Sequence, residues 1–206
     1  MINPSIKEYY EINLQKHGAT AQGVGWKNQE AQEVRFNQLA KVIYTDTPIS
    51  INDLGCGTGD LFDFLAGKFG PISYRGYDVI PEMITMAKEQ HAASGAAFDL
   101  INQSGEMLKA DYTIASGIFN LKFDSSGESW KDYILSTLHV MNDKSSKGFS
   151  FNALTSYSDK EMMKEELFYS DPKWLFDYCR TKFARNVALL HDYNLYDFTI
   201  LVKKNF

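Results

Sequence analysis

From residue 49 onward the chain alternates short β-rich runs with helix-spaced runs, and this alternation restricts the fold more than any other feature. "ISINDLG" opens the series. "DLFDFLAGKF" follows, with Leu61, Phe62, Leu65, Ala66 and Phe69 on one helical face. "ISYRGYD" reads as a second strand. "PEMITMAKEQHAASG" reads as a helix, with Pro81 in its first turn and Gly95 past its end. "AAFDLIN" and "DYTIASG" are third and fourth strands, "SWKDYILSTLHVMND" is a helix, and "GFSFNALT" is a fifth strand. Such alternation predicts an α/β fold with a parallel sheet and helices on both faces. Near the end only "NLY" separates the β-rich runs "NVALLHDY" and "DFTILVKK". That gap is too short for a helical crossover, so the seven-stranded, mostly parallel sheet should have a reversed last strand.

A chain of 206 residues suits one such domain. Residues 1–48 read as an N-terminal helical lid, 49–155 as the core, 156–184 as a helical insert and 185–206 as a terminal β-hairpin. Lid and insert should fold over the carboxyl ends of the strands, where open α/β sheets bind ligands. The formal net charge of −5 supplies no general basic field for nucleic acid or an anionic membrane. No apolar run nears the ~20 residues of a membrane helix, and "MINPSIKEYY" does not read as a signal peptide. Cys56 and Cys179 form no C-x-x-C pair and the four histidines lie far apart, so no metal site is expected and a cytoplasmic setting is.

"INDLGCGTGD" places three glycines between aspartates. Glycine permits positive φ and close approach of a ligand to the backbone. Asp78 follows at the end of the second strand, where a carboxylate can hold both ribose hydroxyls. Together they imply an adenosine-bearing ligand. A dinucleotide site reads G-x-G-x-x-G, whereas the loop here runs Gly55-Cys56-Gly57-Thr58-Gly59-Asp60. Asp60 at the helix start would repel a pyrophosphate, and Asp53 adds a second carboxylate at the strand end. A ligand without phosphates, carrying positive charge near the loop, fits better, and S-adenosylmethionine is one.

"DLGCGTGDL" resembles the first motif of class I S-adenosylmethionine-dependent methyltransferases, "GYDVIPEMITMAK" their second, and "ADYTIASGIFNL" their fourth-strand motif. The resemblance spans about residues 49–155 by motif and implies a Rossmann-like sheet. It further implies that Asp53 and the backbone at Gly55, Cys56 and Gly57 face the methionine moiety, with Gly59 also in the cofactor loop. Asp78 would hold the ribose, with Val79 and Met83 against the adenosine. Asn102 and Gln103 would read the adenine, and Ser116, Gly117 and Ile118 would pass beneath the methionine chain.

"QEAQEVRFNQLAKVI" should be a helix whose apolar side is Ala31, Val34, Leu39, Val42 and Ile43, with Arg35 near the middle of that side. A buried guanidinium needs a partner. Asp53 or another core carboxylate would serve, and so would the carboxylate of the cofactor. "HGATAQGVGW" reads either as a loop closing over the cofactor with Trp26 as a wall, or as a connector with Trp26 in the core.

Methyl transfer needs aligned reactants more than a catalytic triad. Phe119, Asn120, Asn152 and Tyr157 sit where an acceptor would lie, and Asn120 and His191 are the candidates for orienting or deprotonating it. Tyr9, Tyr10, Phe168, Tyr169 and Trp174 make the lid segments aromatic. No Asn-Pro-Pro-aromatic signature follows the fourth strand, which favours a small-molecule acceptor, with O-methylation of a sugar or other metabolite as the leading reading. The alternatives are a nicotinamide-dependent oxidoreductase and a non-catalytic member of the fold. The acceptor and the oligomeric state are not legible.

Overall fold

Alternating side chains along the central strands bury both faces of a single sheet. Phe149, Phe151 and Ala153 point to one side and Ser150 to the other; Phe198, Ile200 and Val202 oppose Leu201 in the same way. The computed structural model describes residues 4–44 and 48–204. Its strands are β1 (Ser50–Leu54), β2 (Ser73–Asp78), β3 (Ala97–Leu100), β4 (Ala110–Ala115), β5 (Ser145–Leu154), β6 (Asn186–Leu190) and β7 (Asp197–Lys203). They lie in the order β3-β2-β1-β4-β5-β7-β6. Among the described strands only β7 runs against its neighbours, and the six residues 191–196 before it are too few for a helical crossover.

The helices are α1 (Pro4–His17), α2 (Gln29–Leu39), α3 (Asp60–Phe69), α4 (Pro81–Gln90), α5 (Gly127–Lys144) and α6 (Pro172–Lys182). One face of the sheet is covered by Phe36 and Leu39 of α2, Leu61 and Leu65 of α3, and Ile84 and Ala87 of α4. The other is covered by Ile134, Leu138 and Met141 of α5 and Leu175 and Cys179 of α6. Local signals set the helix starts. Asn28, Ser126 and Asp171 cap α2, α5 and α6 through their side chains, and Pro81 and Pro172 open α4 and α6.

Two sequence expectations shift. The buried stripe of α2 is Gln32, Arg35, Phe36 and Leu39, whereas Ala31 and Val34 are only half-buried. Polar side chains with partners turn the helix away from the face that hydrophobicity alone selects. In the segment 156–184, α-helix begins only at Pro172; α6 packs on β6 and β7 as an ordinary crossover, and the irregular stretch before it reaches the carboxyl ends of the strands.

Candidate functional site

Strand order reverses between β1 and β4, and the backbone leaves those strands in opposite directions there. A cavity of about 910 Å³ opens at this point. That is near the upper end for a drug-sized ligand, roughly 300–1,000 Å³.

The glycine loop forms one wall. Gly55 and Gly57 have φ of +78° and +54°, a region that costs most other residues free energy. A Cβ on Gly55 would come 2.3 Å from Ile118 Cγ2, so the loop and the end of β4 touch through the missing side chain. The amides of Gly55 and Cys56 both donate to the carbonyl of Tyr77, which pins the loop to β2. Asp78 completes the clamp. Its Oδ2 accepts from Gly57 N–H at 2.9 Å, and its Oδ1 from Val79 and Ile80 N–H at 2.7 and 3.0 Å. Burial holds this carboxyl above the ordinary range, while the three amides pull it back down.

Asp53 is buried at the end of β1 and accepts from Tyr74 Oη at 2.5 Å. Burial pushes its carboxyl up to about 7 against the opposing pull of that hydroxyl. Asp60 caps this end of the pocket, where it accepts from Thr58 Oγ1 and Gln32 Nε2 at 3.1 and 3.3 Å.

Arg35 enters from α2. Its partner is not Asp53 but another core carboxylate: Nη2 meets Asp197 Oδ2 of β7 at 2.5 Å, and Nη1 donates to Ala31 O at 2.7 Å. Asp197 faces α2 because it lies on the Leu201 side of the alternating strand. Its other oxygen accepts from Asn152 Nδ2 at 3.0 Å, and Asn152 Oδ1 accepts from Gly117 N–H at 2.8 Å. The network thus runs from α2 through β7 and β5 to the end of β4. Trp26 lies against Gly117, where a Cβ would come 2.6 Å from the indole, and the Arg35 guanidinium stands 4.3 Å over the indole ring. The wall is therefore a cation–π pair resting on a glycine. Arg35 Nε and Ser116 Oγ are buried without a partner among the described residues.

Trp26, Arg35, Asp53, Gly55, Cys56, Gly57, Asp78, Val79, Met83, Asn102, Gln103, Ser116, Gly117, Ile118 and Asn120 all line the cavity. Five expected residues do not. Gly59 faces inward, where a Cβ would come 2.6 Å from His91 Nε2, so it serves packing behind the loop. Phe119 is fully buried in the core and its carbonyl accepts from Trp130 Nε1. Asn152 is fully buried and consumed by the Arg35 network. Tyr157 is exposed on the outside of the fold, and His191, just past the end of β6, is exposed beside its ring. The aromatic lid divides as well. Tyr9 and Tyr10 line the cavity, while Phe168 is buried in the core and Trp174 packs against it.

Residues the sequence did not single out complete the walls. Ile6 and Val24 come from the N-terminal segment, Ser129, Trp130, Tyr133 and Thr137 from α5, and Lys164, Glu166 and Leu167 from the stretch before α6. Desolvation at the cavity wall pushes the Tyr133 hydroxyl up to about 12, although the residue is 39% exposed, and raises that of the half-buried Tyr10 as well. The position of α5 directly after β4 was the available signal, since a helix there starts at the ligand-binding edge.

A methyltransferase-domain family model matches residues 51–144. The Mycobacterium tuberculosis protein Rv1506c, named provisionally as a methyltransferase, is 46% identical over 164 residues, which cover 80% of this chain and 98% of that protein. Solved structures that share the fold include two methyltransferases. Synechocystis magnesium protoporphyrin IX methyltransferase with bound S-adenosylhomocysteine has a TM-score of 0.65 at 11% identity, covering 98% of this chain and 99% of its own. Human N-acetylserotonin methyltransferase in complex with S-adenosylmethionine has a TM-score of 0.68 at 14% identity, covering 98% of this chain and 58% of its own.

Proposed function

This chain belongs to the class I S-adenosylmethionine-dependent methyltransferase family, and on that premise we propose that it methylates an oxygen atom of a small metabolite, sugars included, in the cytoplasm. One observation carries the cofactor half of the reading. Arg35 Nε and Ser116 Oγ are buried, unpartnered donors on residues that line the pocket, and a ligand carboxylate accepts from both. The complementary acceptor is Asp53, a buried carboxyl suited to an ammonium group. These residues fit the carboxylate and ammonium of S-adenosylmethionine, and Asp78 fits its ribose. Bound there, the cofactor supplies a methyl group activated by a sulfonium. Trp26 and α1 wall the site from water, and the glycine loop lets the chain approach the ligand closely.

Thermal shift separates this from the nicotinamide alternative. S-adenosylhomocysteine is expected to raise the melting temperature and NAD to leave it unchanged, because only a bound ligand stabilises the fold. The reverse order overturns the reading.

Asp53 makes the binding pH-dependent. With its carboxyl pushed up to about 7, the site carries a proton in mildly acidic solution and must release it to face an ammonium. Affinity for S-adenosylhomocysteine is therefore expected to rise about tenfold per pH unit up to neutrality and to level off above it. Titration calorimetry from pH 5.5 to 8.5 reads the slope, and Asp53→Asn should flatten it.

A further inference from the structure

We propose that the acceptor oxygen arrives at this site already ionised, as a carboxylate or an acidic phenolate, and that Asn120 is the residue that selects it. The inference rests on the methyltransferase reading and narrows its substrate.

Asn120 follows β4 and lines the cavity. Its Oδ1 accepts from Leu154 N–H at 3.0 Å at the end of β5. A backbone amide can only donate, so the side-chain oxygen must face it and the amide orientation is settled. Phe168 N–H donates to the carbonyl of Asn120 at 2.8 Å and anchors the backbone too. What the side chain has left is the Nδ2 amide, which donates and cannot accept. A fixed donor favours an oxygen that carries lone pairs and negative charge.

Among the described residues that line the cavity, no histidine and no unengaged buried carboxylate stands ready to remove a proton. None of His17, His91, His139 and His191 lines the cavity. Asp53, Asp60 and Asp78 are engaged at the glycine-loop end by Tyr74, by Thr58 and Gln32, and by three amides. Tyr10 and Tyr133 hold their protons, since both hydroxyls are raised above the ordinary tyrosine value. Glu166 stands exposed at the rim. Among the described residues no group of three or more His, Cys, Asp or Glu could hold a metal ion to activate an alcohol. A neutral hydroxyl would have to shed its proton during transfer; an ionised oxygen has none to shed.

The walls on this side include Ile118, Leu121, Leu154 and Leu167. In such surroundings transfer between opposite charges is favoured. A lone pair of the acceptor oxygen forms the new O–CH3 bond, and the electron pair of the breaking S–CH3 bond stays on sulfur. The anionic and sulfonium charges cancel and no proton is released. Charge that disappears along the path is helped by a low dielectric.

The test has three arms. Calorimetry with S-adenosylhomocysteine comes first, and failure to bind overturns the methyltransferase reading itself. Next, saturation-transfer NMR on the S-adenosylhomocysteine-loaded protein compares benzoate with benzyl alcohol, and 4-nitrophenolate with 4-nitrobenzyl alcohol. The anion of each pair is expected to bind about tenfold more tightly. Equal binding, or no binding by the anions, overturns the proposal while leaving the cofactor reading intact. Asn120→Asp keeps the acceptor for Leu154 N–H and removes the donor, so it should abolish the preference for the anion while S-adenosylhomocysteine affinity holds. Loss of both members equally overturns the role of Asn120. Finally, transfer of labelled methyl to the same compounds should favour the acids, and Glu166→Gln should leave the shape of the pH profile unchanged. A collapse of turnover in Glu166→Gln with a changed pH profile would reveal a general base and overturn the proposal.

Discussion

Asp78→Ala is expected to weaken S-adenosylhomocysteine binding by at least about a hundredfold, the largest loss of affinity we anticipate from one side chain. Two effects add. The carboxylate is the proposed ribose acid, and charge-assisted hydrogen bonds contribute about 1.5–3 kcal/mol each. It also clamps the loop, because the amides of Gly57, Val79 and Ile80 all donate to it. Without it, three donors lose their acceptor and the glycine loop is free to leave the shape that admits a ligand. Asp78→Asn is no neutral control, since one end of its amide would meet a backbone N–H as a second donor. Calorimetry with adenosine and 2′-deoxyadenosine separates the effects. If Asp78 holds the ribose, the wild type should discriminate between the two and Asp78→Ala should not, a coupling read directly from the cycle. Equal discrimination in both proteins would leave only the loop clamp.

Asp78 illustrates what a sequence can show about such a site. The alternation of strands and helices was legible because each run carries its own period. The glycine loop and Asp78 were legible because their chemistry depends on positions within one strand–turn–helix unit. Arg35 could be recognised as a buried charge in need of a partner, but the partner lies 162 positions away. Only the register of β7 against β5 puts Asp197, and not Thr199 or Leu201, opposite Leu154 at the site end. Asn152 falls between Asp197 and Gly117 for the same reason, and so reads as a pocket residue until its hydrogen bonds are seen. Gly59 looked like its sister glycines in the loop, yet it faces His91, whose position follows from where α4 ends. The walls from α1 and α5 were the least legible. Their side chains face the cavity because of helix docking across the sheet, and a helical wheel contains no such information.

Asp197→Ala is expected to destabilise the fold by about 3–5 kcal/mol, because it leaves the buried Arg35 guanidinium without its counter-charge. For a chain of this length that lowers the melting temperature by roughly 10 °C. Asn152 also loses its partner, which loosens the anchor on Gly117 N–H beneath Trp26. A paired replacement separates scaffold from site. Arg35→Met combined with Asp197→Leu removes both charges and keeps similar bulk, and exchanges of this kind are often close to neutral for stability. The double variant should therefore recover the melting temperature to within a few degrees of the wild type. Affinity for S-adenosylhomocysteine should stay low by about tenfold or more, since the proposed carboxylate donor at Arg35 Nε is gone. Recovery of both would make Arg35 a structural residue whose whole role is to hold β7 to α2. Recovery of stability alone would mean that one guanidinium serves both purposes, anchored to the sheet through Nη2 so that Nε can meet the ligand.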